Sequence, residues 1–275
     1  KPAFLPMQGT RASRRFCLEH MLRERLGAPG LIAVHRLDRE TSGVALFARN
    51  WENLAQQDAM WAILTDDRKK GGGWDAESFF ASGRETVAWL GSWLGLHGIE
   101  VPRGAALDFG CGLGRLTQAL APHFERVVGV DVSASMVEGA RAHNRFGAKV
   151  RYVCNPRPDL AVIDSNRMAF VLSAIVLQHM RTEYQRVYVR EFVRILQPGG
   201  LLFFQVAEAP ATGSAPRGAE DAETPGEARI EMHPLSRREI DEATAVHGGR
   251  VVLAEPDHWA GEGWASAHYL VRKAD

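Results

Sequence analysis

Downstream of residue 104 the chain alternates short apolar runs with longer stretches in which apolar positions recur every three or four residues. The runs at 105–109, 127–130, 150–154, 168–173 and 201–206 read as strands. The stretches 113–121, 133–144 and 182–196 read as helices, the second opened by Ser133 as N-cap. In 182–196, Tyr184, Val187, Tyr188, Phe192 and Ile195 share one face. Strands and helices in turn predict a parallel sheet covered on both sides. A helix at 236–246 and strands at 251–254 and 268–271 close the chain. Upstream, the pattern predicts a helix at 14–26, two strands at 31–34 and 44–48, a helix at 51–64, a loop at 65–73 and an aromatic-rich helix at 74–96. Residues 208–229 are rich in Ala, Gly, Pro and Glu, and are expected to form a flexible insertion.

Composition changes this picture at one end only. Across 275 residues, 33 Lys and Arg balance 33 Asp and Glu, so the whole chain has no electrostatic reason to coat nucleic acid or an anionic membrane. Residues 1–50, however, carry nine basic and four acidic residues, net +5, leaving the remainder at net −5. Lys1 opens the chain, and an incomplete N-terminal element is expected there. Three cysteines, Cys17, Cys111 and Cys154, without a C-x-x-C pair, argue against a disulfide framework or a Cys-rich zinc site and suit a reducing, cytoplasmic setting. No apolar run approaches the ~20 residues of a membrane span, so no membrane partner is expected.

The candidate chemistry sits where the first strand of the alternating region turns into a helix. There the sequence reads Asp108, Phe109, Gly110, Cys111, Gly112, Leu113, Gly114, at the place where a doubly wound sheet opens its ligand crevice. Asp131 ends the next strand, from which a carboxylate can accept hydrogen bonds from both hydroxyls of a ribose. Together they describe an adenosine-containing ligand. A dinucleotide would require G-x-G-x-x-G so that a helix N-terminus could hold its pyrophosphate. Here the third glycine comes one residue early, Arg115 stands in its place, and Asp108 lies near where the phosphates would be. S-adenosylmethionine has no phosphate and carries a sulfonium and an ammonium, and the sequence prefers it.

On these residues the chain resembles the class I S-adenosylmethionine-dependent methyltransferases. The matching stretches are ALDFGCGLGRLTQAL at 106–120, VVGVDVSASMVEGAR at 127–141, VLSAIVLQHM at 171–180 and RILQPGGLLFFQV at 194–206. The resemblance implies a Rossmann-like α/β fold with seven strands in the order 3-2-1-4-5-7-6, the last antiparallel and formed by 268–271. It implies a domain over 51–275, with a helical cap at 51–103 and a core at 104–275. Carried over by position, Gly110, Cys111 and Gly112, with Asp108 and Gly114, would meet the methionine part of the cofactor, and Asp131 the ribose. Val132 and Met136 would take the adenine face, Asn155 its edge, and Ser173 the amino group through its backbone. Phe80 and Arg84 of helix 74–96 would cap the cofactor. The acceptor is left open, with a small molecule favoured.

Methyl transfer from an activated sulfonium can run largely on orientation and water exclusion. His179 is a candidate general base; its plainer reading is a histidine that fixes the Gln178-His179 turn. His233 and Glu208 flank the insertion and read as surface positions that could face an acceptor. Cys111 reads as a small space-filler, and the Trp and Phe residues of 74–96 as core.

The N-terminal stretch carries a second resemblance. His35-Arg36-Leu37-Asp38-Arg39-Glu40-Thr41-Ser42-Gly43, with Lys1-Pro2 before it, is similar to the catalytic segment of pseudouridine synthases of the ribosomal large-subunit type. The resemblance implies a catalytic role for Asp38, active only if the fragment is, and RNA contacts for Arg36. It covers residues 1–50, a small incomplete α+β piece. RNA is therefore a possible partner through this basic segment, and a non-catalytic cofactor-binding protein is the other competing reading.

Overall fold

A computed structural model describes residues 32–33, 47–48, 51–64, 69, 71–210, 232–261 and 263–275. In it β1 (Ile32–Ala33) and β2 (Phe47–Ala48) form an antiparallel pair, Ile32 opposite Ala48. The expected helix at 14–26 and the segment 211–231, which holds most of the expected insertion, lie outside the described residues. Then follow α1 (Trp51–Ile63), α2 (Ala76–Leu96), β3 (Ala105–Phe109), α3 (Arg115–Leu120), β4 (Arg126–Asp131), α4 (Ala134–Ala142), β5 (Val150–Cys154) and β6 (Met168–Ser173). The chain continues through α5 (Thr182–Ile195), β7 (Leu196–Pro210), α6 (Arg237–Ala245), β8 (Gly249–Asp257) and β9 (Trp264–Lys273).

The seven strands β3 to β9 make one sheet in the spatial order β5, β4, β3, β6, β7, β9, β8. Numbered from β3 as the first, this is 3-2-1-4-5-7-6. β3 to β7 pair in parallel, and β9 runs antiparallel to both of its neighbours. The sheet divides two cores, as the buried central strands require. Leu107, Val171, Leu202 and Val271 face α5 and α6, where Tyr188, Val189, Phe192 and Ile240 cover them. Ala106, Phe170, Phe203 and Leu270 face α2 and α3, where Val87, Leu90, Trp93 and Leu120 pack. At Gly83 the helices α2 and α3 meet backbone to backbone: a Cβ there would lie 2.4 Å from the Arg115 carbonyl oxygen.

Local capping sets the helix starts. Ser133 Oγ accepts from Met136 N at 3.1 Å, and Asp75 from Ser78 N at 2.9 Å. Ser236 and Glu239 form a reciprocal capping box that starts α6. Two expectations are corrected. The helix expected at 51–64 is interrupted at Asp58 (φ −158°, ψ 86°), whose carboxylate accepts from Trp61 N at 3.1 Å and Gly72 N at 2.8 Å and restarts the helix. The strands at the sheet's far end are longer than their apolar runs, with β7 reaching Pro210 opposite Trp264. Residues 208–210, assigned to the insertion, are thus strand. Backbone pairing with β9 extends β7 through Ala207, Glu208, Ala209 and Pro210, which carry no strong apolar signal. No helix among the described residues is long and apolar enough to cross a membrane.

Candidate active site

At the carboxyl end of β3 the chain must turn sharply and leave its backbone bare. Gly110, Gly112 and Gly114 do this with φ of +73°, +51° and +83°, a region costly for residues with a Cβ. Gly110 N and Cys111 N donate to the Val130 carbonyl at 2.8 and 3.0 Å, which pins the turn to β4. A cavity of about 390 Å³ opens over it. Its lining includes Asp108, Gly110, Cys111, Gly112, Asp131, Val132, Met136 and Asn155, eight of the residues named from the sequence.

Asp131 is held in place from two directions. One carboxylate oxygen accepts from Gly112 N at 2.8 Å and the other from Ser133 N at 2.9 Å. Each oxygen has a second lone pair, so the carboxylate can still accept from a vicinal diol. Beside it, Asn155 Nδ2 donates to the Asp159 carbonyl at 2.5 Å, while its buried Oδ1 has no hydrogen-bond partner. An acceptor oriented this way suits an exocyclic amine, and Val132 and Met136 supply apolar surface for a flat base. The bare glycine turn, the oriented carboxylate and the orphaned amide oxygen fit S-adenosylmethionine residue by residue.

Beneath the turn lies a buried polar cluster. Thr117 Oγ1 donates to Asp108 at 2.6 Å, yet burial pushes the Asp108 carboxyl up to about 6 against that bond and the Arg115 charge. Burial also pushes the Cys111 thiol well up, helped by the Asp131 and Asp108 charges, which suits an inert filler rather than a nucleophile. Arg115, buried and on the cavity wall, donates to Thr86 Oγ1 at 3.2 Å and Ser82 Oγ at 3.4 Å; burial lowers its pKa, and Asp108 opposes that.

Four of the positions assigned to the cofactor stand off the cavity, as do Glu208 and His233. Arg84 reaches outward to Glu77 at 2.6 Å with more than half of its side chain exposed. Phe80 is buried against Phe79, His143, Leu113 and Met136, where it supports the site from behind. Gly114 backs onto the Tyr152 hydroxyl. Ser173 ends β6 fully buried, and the lining passes instead to Ala174, Ile175 and Val176. The cap over the glycines is α1: a Cβ on Gly112 would lie 2.5 Å from Ile63 Cδ1, and one on Gly110 would lie 2.4 Å from Val176 Cγ2. Asp38 lies outside the described residues.

His179 does line the cavity, beside Gln178, whose Nε2 is 3.3 Å from His179 Nε2. His233 is fixed through its backbone to Gln178, at 2.7 Å, and Glu208 meets the Tyr269 hydroxyl. Sequence reasoning missed Ala62, Ile63, Arg115, Gln178 and, in the β8–β9 turn, Trp259 as parts of the wall. Of these only Arg115 carried a signal, as the long side chain directly after the third glycine.

Comparison with known proteins agrees with this geometry. Residues 107–204 match the methyltransferase domain family, and residues 1–62 match the RNA pseudouridylate synthase family. The chain is 34% identical over 101 residues to a ubiquinone biosynthesis O-methyltransferase of Coxiella burnetii, covering 36% of this chain and 41% of that one. A protein of the same name from Bordetella avium is 31% identical over 137 residues, covering 48% and 54%. The chain thus spans about half the length of these curated relatives or less. Magnesium protoporphyrin IX methyltransferase from Synechocystis, with bound SAH, superposes with a TM-score of 0.55 at 19% identity, covering 82% of this chain and all of that one. The PH0226 protein from Pyrococcus horikoshii gives 0.53 at 19%, covering 71% and 91%. At these identities the structural likeness is one of fold, the class I methyltransferase fold. The synthase match runs to residue 62, into α1, twelve residues beyond the segment delimited by its motif.

Proposed function

We propose that this chain transfers the methyl group of S-adenosylmethionine to a small-molecule acceptor. The observation that carries the reading is Asp131, a carboxylate presented to the cavity by two backbone N–H groups beside a glycine turn that leaves the backbone bare. In this reading Asp131 holds the ribose, Asn155 Oδ1 the adenine amine, Val132 and Met136 the base, and Gly110 to Gly112 the amino-acid portion. Bound there, S-adenosylmethionine supplies an electrophilic methyl carbon on a sulfonium. Ile63, Val176 and Met180 exclude water from that space. His179, on the cavity wall, would take the proton of an acceptor hydroxyl, and the bound cofactor would supply the methyl group that replaces it. An oxygen acceptor is favoured by the curated relatives named as O-methyltransferases. S-adenosylhomocysteine at 100 times its dissociation constant should raise stability by about 2.7 kcal/mol, read as a thermal shift. A shift with NAD and none with S-adenosylhomocysteine would overturn the reading.

The synthase match and the net +5 of residues 1–50 favour a second reading, in which the N-terminal segment delivers RNA as acceptor. It requires RNA binding that weakens steeply with salt and is lost when residues 1–50 are removed.

A further inference from the structure

Arg115 directly follows the third glycine of the turn and lines the cavity, yet only 8% of its surface is exposed. α2 is shaped to receive it. At Gly83 a Cβ would lie 2.8 Å from Arg115 Cγ, so the helix passes close by, and the hydroxyls of Ser82 and Thr86 meet the guanidinium. Both hydroxyls spend their protons on their own helix, Ser82 Oγ on the Phe79 carbonyl at 2.7 Å and Thr86 Oγ1 on the Ser82 carbonyl at 2.8 Å. What they turn to Arg115 Nη1, at 3.4 and 3.2 Å, is therefore a lone pair each. Neutral acceptors hold the guanidinium in place.

This cradle lacks a counter-charge. Among the described residues Arg115 donates to no carboxylate: Asp108, an acid of the same cavity, takes the Thr117 hydroxyl at 2.6 Å and acts on Arg115 by charge alone. Nε is buried without a hydrogen-bond partner, and Nη2, which is not sealed in that way, donates to no described residue. A buried guanidinium without an anion is unfavourable, and a ligand that brings an anion relieves it. The anion cannot be a phosphate of high charge, since Asp108 and Asp131 both stand in the same cavity. An α-amino-acid group carries a carboxylate and an ammonium on one carbon, and suits a wall with one guanidinium among acids.

We propose that Arg115 binds the α-carboxylate of the cofactor's amino-acid end through Nη2, and that Ser82 and Thr86 of α2 are the positioning residues that hold its guanidinium for this contact. The proposal rests on the methyltransferase reading and deepens it: the glycine turn is neutral, and one side chain supplies the charge that it lacks. α2 then serves the cofactor through Ser82, Gly83 and Thr86, without touching it.

The test is calorimetry on the full chain with two ligands, S-adenosylhomocysteine and its decarboxylated analogue, which keeps the adenosine, the sulfur and the ammonium. Wild-type protein should bind S-adenosylhomocysteine at least about tenfold more tightly than the analogue, the effect of one charge-assisted hydrogen bond. Arg115→Met should weaken S-adenosylhomocysteine by that factor and leave the analogue within about threefold, so that the preference disappears. Arg115→Lys should keep part of it, because an ammonium retains the charge without the planar fork. Thr86→Val should shrink the preference by a smaller factor, and an unchanged preference there would remove the positioning role. Equal binding of the two ligands by the wild type, a comparison that needs no variant to fold, would overturn the proposal. So would an equal loss for both ligands in Arg115→Met, the mark of a merely structural residue. Binding of neither ligand by the wild type would instead sink the methyltransferase reading.

Discussion

At the β3–β4 end of the cavity the backbone presents the site, whereas at the β7–β9 end side chains do. The first end consists of three positive-φ glycines, two N–H groups turned onto Asp131 and the pinned Val130 carbonyl. The second is the Trp259 indole of the β8–β9 turn, on the cavity wall and packed 5.1 Å from the Trp89 ring of α2. A backbone site suits a ligand that stays the same, since its geometry follows from a short local sequence. A side-chain site can be altered one residue at a time, which suits the variable partner in a transfer reaction.

Substitutions at the two ends test this contrast. On the proposed reading, Asp131→Ala removes two charge-assisted hydrogen bonds to the ribose and should weaken S-adenosylhomocysteine at least a hundredfold, about 2.7 kcal/mol, by calorimetry. Wild-type affinity would move the ribose away from this strand end. A pH effect of similar size follows from Asp108. Its carboxyl is raised from 3.8 to about 6 in the fold, so the folded state holds the proton more tightly, and stability falls as pH rises from about 4 to about 6. The full loss is about 3 kcal/mol, two pKa units, and in Asp108→Asn, which keeps an oxygen for Thr117, that slope should be absent from the denaturation midpoints.

Gly110→Ala tests the bare backbone directly. A Cβ at φ +73° that meets Val176 at 2.4 Å should cost about 1–3 kcal/mol in stability and lower cofactor affinity. Trp259→Leu, at the other end, should leave S-adenosylhomocysteine affinity within about threefold; a larger loss would mean that the two ends are one site. The smallest effects are expected outside the cavity. Arg84→Ala should change stability by no more than about 0.5 kcal/mol, and removing residues 1–50, with α1 kept, should leave cofactor affinity unchanged.

Legibility in the sequence divides along the same line. The glycine turn and the acid ending β4 are legible because each is a short string at a fixed place in the strand-helix alternation, whereas the strand order follows only from the family resemblance. The resemblance points to Phe80 and Arg84 as the cap through the aromatic-rich helix α2. α1 fills that role with Ile63, a contact between residues 49 apart that no local pattern encodes. The far strands were read too short because hairpin pairing runs through polar positions.

The sequence by itself determined the alternating elements, the seven-strand order through its family resemblance, and the glycine turn after β3 with the acid that ends β4, since conformation at glycines and helix caps depends on neighbouring residues. Only the tertiary structure decided which helix covers the glycines, that Asp108 is buried deeply enough to hold its proton near pH 6, and that His268 and Trp259 converge. Those outcomes depend on burial and on contacts between strands far apart in the chain, and free energies of that kind arise only when the sheet has closed around them.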